Sequence, residues 1–149
     1  MGVELTDVDV VDAAECLRLV ATRSLGRIGV TVSSLPAILP VRYELVDDVV
    51  VARLEHGAEL AAAAHHVIVA FEVDDLDPCT GAGWSVLIRG FGRALREPLS
   101  AFRSIDGRRP SPGDLDRHRF LSISTDVVSG YRVPHGAREL RLHPTEVSP

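Results

Sequence analysis

Short hydrophobic runs broken by turn residues dominate the chain, and they predict strands more often than helices. Arg27 to Val32 alternates, with Ile28, Val30 and Val32 on one face. Ser33-Ser34 is a short turn, and Leu35 to Leu45 is a second extended run in which Pro36 and Pro40 mark strand ends, bulges or an edge. Asp47-Asp48 turns the chain again into Val49 to Leu54, whose almost unbroken apolar start predicts burial on both faces. Val67 to Val73 is a fourth strand, Asp74 to Gly83 a polar loop, and Trp84 to Arg96 a long fifth strand. Gly90 and Gly92 inside that strand predict a bend or a close backbone approach, as at a barrel corner. Arg119 to Ser124 is a sixth strand, and Asp126 to Val133 is a short seventh or the same strand after a bend.

Two segments have a helical pattern. Asp12 to Glu15 fits a capping box, with Asp12 as the N-cap and Glu15 reaching back. Val10, Ala14, Leu17 and Ala21 follow at helical spacing until Ser24 and Gly26 stop the helix. Ala58 to Ala64 is built of strong helix formers and ends at His65-His66. Residues 97–117, with three prolines, are expected to form a loop with a short helix near Leu99–Arg103. There is no internal repeat. The pattern gives a mainly β fold, a closed antiparallel barrel of six strands, in one domain over residues 1–133, with a C-terminal tail at 134–149.

Composition narrows the function. The 149 residues carry a net charge of −5, which argues against coating nucleic acid or lying on an anionic membrane. No apolar run is long enough to span a bilayer, and the acidic start is no signal peptide. Cys16 and Cys79 stand far apart and predict free thiols in a cytoplasmic protein. All 16 basic residues are arginine, so a Schiff-base or P-loop lysine is excluded and any cation that holds an anion is a guanidinium.

No catalytic set stands out. The six histidines form no metal motif, although His65 or His66 is a candidate haem ligand. Asp74, Asp75 and Asp77 form either a cation site or a solvated turn. Gly90-Phe91-Gly92 lacks the third glycine of a dinucleotide fingerprint. One arrangement remains: Leu39-Pro40-Val41-Arg42-Tyr43 followed, across a turn, by Arg53-Leu54-Glu55-His56-Gly57-Ala58-Glu59-Leu60. An arginine beside the first amides of a helix is an anion site that needs no lysine, and phosphate is its obvious guest.

At these residues the chain resembles the pyridoxamine 5′-phosphate oxidase-like flavin-binding split barrels, most of all their short actinobacterial members. Glu15 to Gly29 is similar to the family's opening helix and first strand, Leu35 to Tyr43 to its P-V-N-Y strand, and Val67 to Asp74 and Trp84 to Gly90 to later core strands. The resemblance implies a six-stranded split barrel that forms a homodimer with FMN between subunits, and an oxidoreductase acting on a small molecule. It also implies that Pro40, Val41, Arg42 and Tyr43 line the flavin and that Arg53, Leu54, Gly57, Ala58, Glu59 and Leu60 hold its phosphate. Trp84 and Ser85 would approach the ring system or ribityl chain, from this subunit or its partner. The flavin would carry the redox chemistry, so no acid or base residue is singled out. The sequence departs from the family pattern twice: Arg42 replaces an asparagine and Glu59 replaces a lysine. At about 4 Å and an effective dielectric near 20, the second change costs a bound phosphate several kcal/mol. The alternatives are a barrel that has lost FMN and serves as a ligand-binding or sensor module, or one that binds deazaflavin or haem instead.

Overall fold

The computed structural model describes residues 8–55, 58–95 and 118–135. Its elements run β1 (Asp9–Val11), α1 (Ala13–Val20), β2 (Leu25–Val32), β3 (Leu35–Val46), β4 (Val49–Glu55), α2 (Ala58–Ala64), β5 (Ile68–Leu76), β6 (Gly83–Leu95), β7 (His118–Ile123) and β8 (Val127–Val133). The strands form one antiparallel sheet in the order β1-β8-β6-β5-β2-β3-β4-β7. A second pairing, β6 with β7, closes β6-β5-β2-β3-β4-β7 into a six-stranded barrel, the mainly β fold expected.

Closure depends on β6 changing partners. Gly83 to Arg89 pairs with β8, whereas Gly92 to Leu95 pairs with β7. The change falls between Gly90 and Gly92, and both need to lack a side chain. A Cβ on Gly90 would lie 1.6 Å from the Ser124 carbonyl oxygen, and one on Gly92 2.1 Å from that of Ala64. Ser124 holds the corner: its Oγ accepts from the Phe91 amide at 2.7 Å and its own amide donates to the Phe91 carbonyl at 3.2 Å.

Two tight turns set the register on either side of β3. Ser33-Ser34 and Asp47-Asp48 all have positive φ, the conformation of a two-residue turn between right-twisted strands. The barrel interior is filled by large side chains from alternating positions, among them Ile28, Tyr43, Phe71, Ile88 and Leu121. Tyr43 packs edge-on against Phe71, with ring centroids 4.9 Å apart, and its hydroxyl donates to the Val20 carbonyl at the end of α1. Burial pushes the phenol above its usual pKa, so it stays a donor. Tyr43→Phe leaves that carbonyl unpaired. It is expected to cost about 1–2 kcal/mol, read as a lower urea midpoint at unchanged slope.

Helix α1 begins as expected, with Asp12 Oδ1 accepting from the Glu15 amide at 2.9 Å. Glu15 does not reach back. Its carboxylate instead accepts from Arg18 and, across the sheet, from Arg132, each at 2.6 Å. These guanidiniums, Arg18 first, lower its pKa to about 2 from an ordinary value near 4.5. Because the folded value is depressed, the stability this carboxylate contributes is complete above about pH 4.5 and is lost as pH falls towards 2. Arg132→Gln should therefore flatten the fall in thermal midpoint between those pH values, which a melting series across the window will show.

Other expectations are revised. Val10 belongs to β1 rather than to the helical stripe, and it is exposed. β5 extends through Asp74 and Asp75, so the loop shrinks to residues 77–82. β7 and β8 are separate strands. The short helix expected near Leu99–Arg103 and most of the tail lie outside the described residues. Among the described residues, no helix is long and apolar enough to cross a membrane.

Candidate functional site

The two halves of β3 have different neighbours. Arg42 to Val46 pairs with β4, but Leu35 to Val41 pairs only with β2. Pro36 and Pro40 fall on that second segment, whose other edge has no strand among the described residues, so a missing amide leaves no ladder bond unmade there. Where β3 leaves β4 a cleft of about 290 Å³ opens. Leu39, Pro40, Val41 and Leu54 wall it from the strands, α2 supplies Leu60, and Leu25 closes it from β2.

Two arginines stand on its lining. Arg42 and Arg53 are direct partners across β3 and β4, at the last rung before the strands part. Side chains so paired have Cβ atoms about 5 Å apart, and like charges there repel. An anion between them reverses the sign of that interaction. Arg42 is exposed, and among the described residues its guanidinium makes no hydrogen bond or ion pair. An apolar-walled cleft with two guanidiniums side by side suits a flat, partly apolar molecule with an anionic arm.

The sequence-derived residues divide accordingly. Pro40, Val41, Arg42, Arg53, Leu54 and Leu60 come together in the cleft. Ala58 opens α2 and Gly57 lies outside the described residues. Glu59 is exposed and does not line the cleft, which weakens the repulsion expected of it. Tyr43 and Trp84 lie outside the cleft lining of their own chain. Tyr43 is fully buried on the inner face, and Trp84 shares that face with Val86 and Ile88 at 7% exposure. Ser85 is buried on the opposite face, its hydroxyl donating to Glu72 Oε1 at 3.3 Å, away from the cleft of its own chain. Leu39 joins the cleft residues as expected, whereas Leu25 was not singled out from the sequence. Its signal is weak: a leucine beside a glycine, placed only by the β2–β3 register.

A second groove, of about 330 Å³, adjoins the first and shares Leu25 and Pro40 with it. Arg23, Ser24, Arg27 and Asp74 supply its polar wall. Here the charges are already paired: Arg23 with Asp75, and Arg27 with Glu72 at 2.9 Å and Asp74 at 3.1 Å. Glu72 is held above the usual carboxylate range, chiefly by burial, against the pull of Arg27.

Two other candidates resolve differently. Asp74 and Asp75 are engaged by arginines, and Asp77 Oδ1 accepts from the amides of Cys79 and Thr80, both at 2.8 Å, a turn held by its own aspartate. His65 Nδ1 accepts from the Ala94 amide at 3.0 Å. That bond occupies one of its two ring nitrogens in holding the end of β6.

The comparisons agree with this fold. A family model described as pyridoxamine 5′-phosphate oxidase matches residues 12–132. The uncharacterized protein Rv0080 of Mycobacterium tuberculosis is 32% identical over 132 residues, which cover 85% of this chain and 86% of that protein. Among solved structures, an FAD-binding protein from Mycobacterium smegmatis is 28% identical with a TM-score of 0.62, over 84% of this chain and 97% of its own. An FAD- and haem-binding protein from the same organism shares the fold at 16% identity and a TM-score of 0.66, covering 85% and 73%.

Proposed function

The chain belongs to the pyridoxamine 5′-phosphate oxidase family, and from that premise we propose that it binds a flavin in the β3–β4 cleft and serves as an oxidoreductase acting on a small molecule. The observation that carries the reading is the Arg42–Arg53 rung beside an apolar wall. Arg53 and Arg42 hold the phosphate arm. Leu25, Leu39, Pro40 and Leu60 take the flat, apolar part and keep water from it. The flavin, when bound, supplies hydride or electron transfer. Glu59 was the strongest argument for a barrel that has lost its flavin, and its place outside the cleft lining removes much of that argument.

Titration of flavin with the purified protein tests this. FMN or FAD fluorescence should be quenched with a dissociation constant of about 10 µM or tighter. Unquenched flavin at several times that concentration contradicts the reading.

The same reading includes a homodimer. On the outer face, Ile38, Gly29, Ala70, Arg89 and Val127 lie in one cross-strand row, and Ile68 and Phe91 are paired partners nearby. Ile38 and Ile68 are 75% and 67% exposed, and Phe91 and Val127 are also open to solvent. A band of this kind is what a self-complementary interface covers. Sedimentation at micromolar concentration should give a dimer for the native chain and a shift towards monomer for Ile38→Asp.

A further inference from the structure

We infer that Pro36 and Pro40 guard the open edge of β3: they keep it from pairing with the same edge of another copy, and so keep the cleft beside it free, whatever ligand that cleft takes. The register decides which groups lie on this edge. Ser33-Ser34 is a two-residue turn, so Val32 and Leu35 are its closing pair and exchange both backbone bonds. Bonded pairs then recur at every second residue. Ala37, Leu39 and Val41 therefore turn amide and carbonyl towards β2. Tyr43 continues the series, its amide donating to the Ser24 carbonyl at 3.0 Å. Pro36, Ile38 and Pro40 turn the other way, where no strand pairs among the described residues. The two prolines thus occupy the positions whose amides would line the open edge on either side of Ile38.

This edge needs a guard. Leu35 to Val41 contains no charged or polar side chain, and Leu35 and Ile38 are largely exposed. An apolar, uncharged, open edge is a template for copies of itself. Charge is a common protection, but Leu39, Pro40 and Val41 also wall the cleft, where a charge would replace apolar surface. Proline removes a donor and adds no charge. Two such edges laid antiparallel about Ile38 would set Pro36 of each copy opposite Pro40 of the other. Neither proline has an amide to give, so only the central Ile38 pair bonds. The proline carbonyls would face each other unpaired, which costs more than leaving them in water. β1, at the other end of the strand order, is protected differently: it is three residues long and carries Asp9.

Sedimentation velocity on the full chain and on a variant carrying both Pro36→Val and Pro40→Val, from about 1 µM to about 100 µM, tests this. The native chain should form nothing larger than a dimer. The double variant should form larger species that grow with concentration and bind thioflavin T at least about tenfold more than the native chain does. Each single variant restores one of the missing amides and should fall between the two. Far-UV circular dichroism shows that the barrel is intact. A folded double variant that keeps the native size overturns the guard. Hydrogen exchange tests it on the native chain, without any substitution. The Ile38 amide should exchange at least about tenfold faster than those of Ala37 and Leu39, which bond to β2. Equal protection of the three amides also overturns the guard, because the edge is then already covered.

Discussion

Gly90→Val is expected to prevent the barrel from closing. Even a single Cβ at this position would lie 1.6 Å from a backbone oxygen of Ser124, and a backbone atom cannot rotate away as a flexible side chain can. Overpacking in a tight interior costs about 1–3 kcal/mol when side chains absorb it. Here the strand corner itself must move, and with it the β6–β7 pairing that closes the ring. Gly90→Ala should cost about 3 kcal/mol or more, and the valine variant more than about 4 kcal/mol, the range in which a domain of this size has little stability left. The measurement is urea unfolding of the alanine variant and soluble yield of the valine variant. Substitution at Gly81 is the control: it has the positive φ but nothing within 4 Å of its Cβ, so Gly81→Asn should cost far less.

The second large effect is on binding. Arg53→Glu replaces a cation on the cleft lining with an anion at the place where the phosphate arm is held. A unit charge about 4 Å from a phosphate is worth about 4 kcal/mol at an effective dielectric of 20 and about 1 kcal/mol in bulk water. Arg53 is half-buried, so the value falls between those limits, and reversal counts twice. The flavin dissociation constant should rise by about a hundredfold or more. Arg53→Gln, which removes the charge without reversing it, should give about a tenfold rise. Both are read by fluorescence titration, with far-UV circular dichroism showing that the barrel is intact. Affinity unchanged in both variants removes Arg53 from the site.

Local chemistry made much of this fold legible in the sequence. Asp12 is an N-cap because its side chain serves an amide three residues on, a relation contained within one turn. Ser33-Ser34 and Asp47-Asp48 mark turns for a similarly local reason. Gly90 and Gly92 announced a close approach, though not that Ser124 and Ala64 are what approach. Side-chain parity was the harder matter. Tyr43 shares its face with Val41, and Trp84 with Val86 and Ile88, so alternation alone sends both rings inward. The family motif says that a residue is near the flavin but not which way its side chain points. Val10 was assigned to the helix because its spacing from Ala14 is helical, while its pairing with Tyr131 lies 121 positions away in sequence. The cleft is non-local in the same way. It exists because β3 exchanges β4 for an open edge at Arg42, and that register is set by turns at both ends of the strand.

The most direct test of the central claim is a crystal structure of the protein grown with FAD. The account predicts the phosphates between the guanidiniums of Arg42 and Arg53, and the ring system against Leu39, Pro40 and Leu60. Flavin density away from the β3–β4 cleft, or phosphates that touch neither arginine, would contradict it.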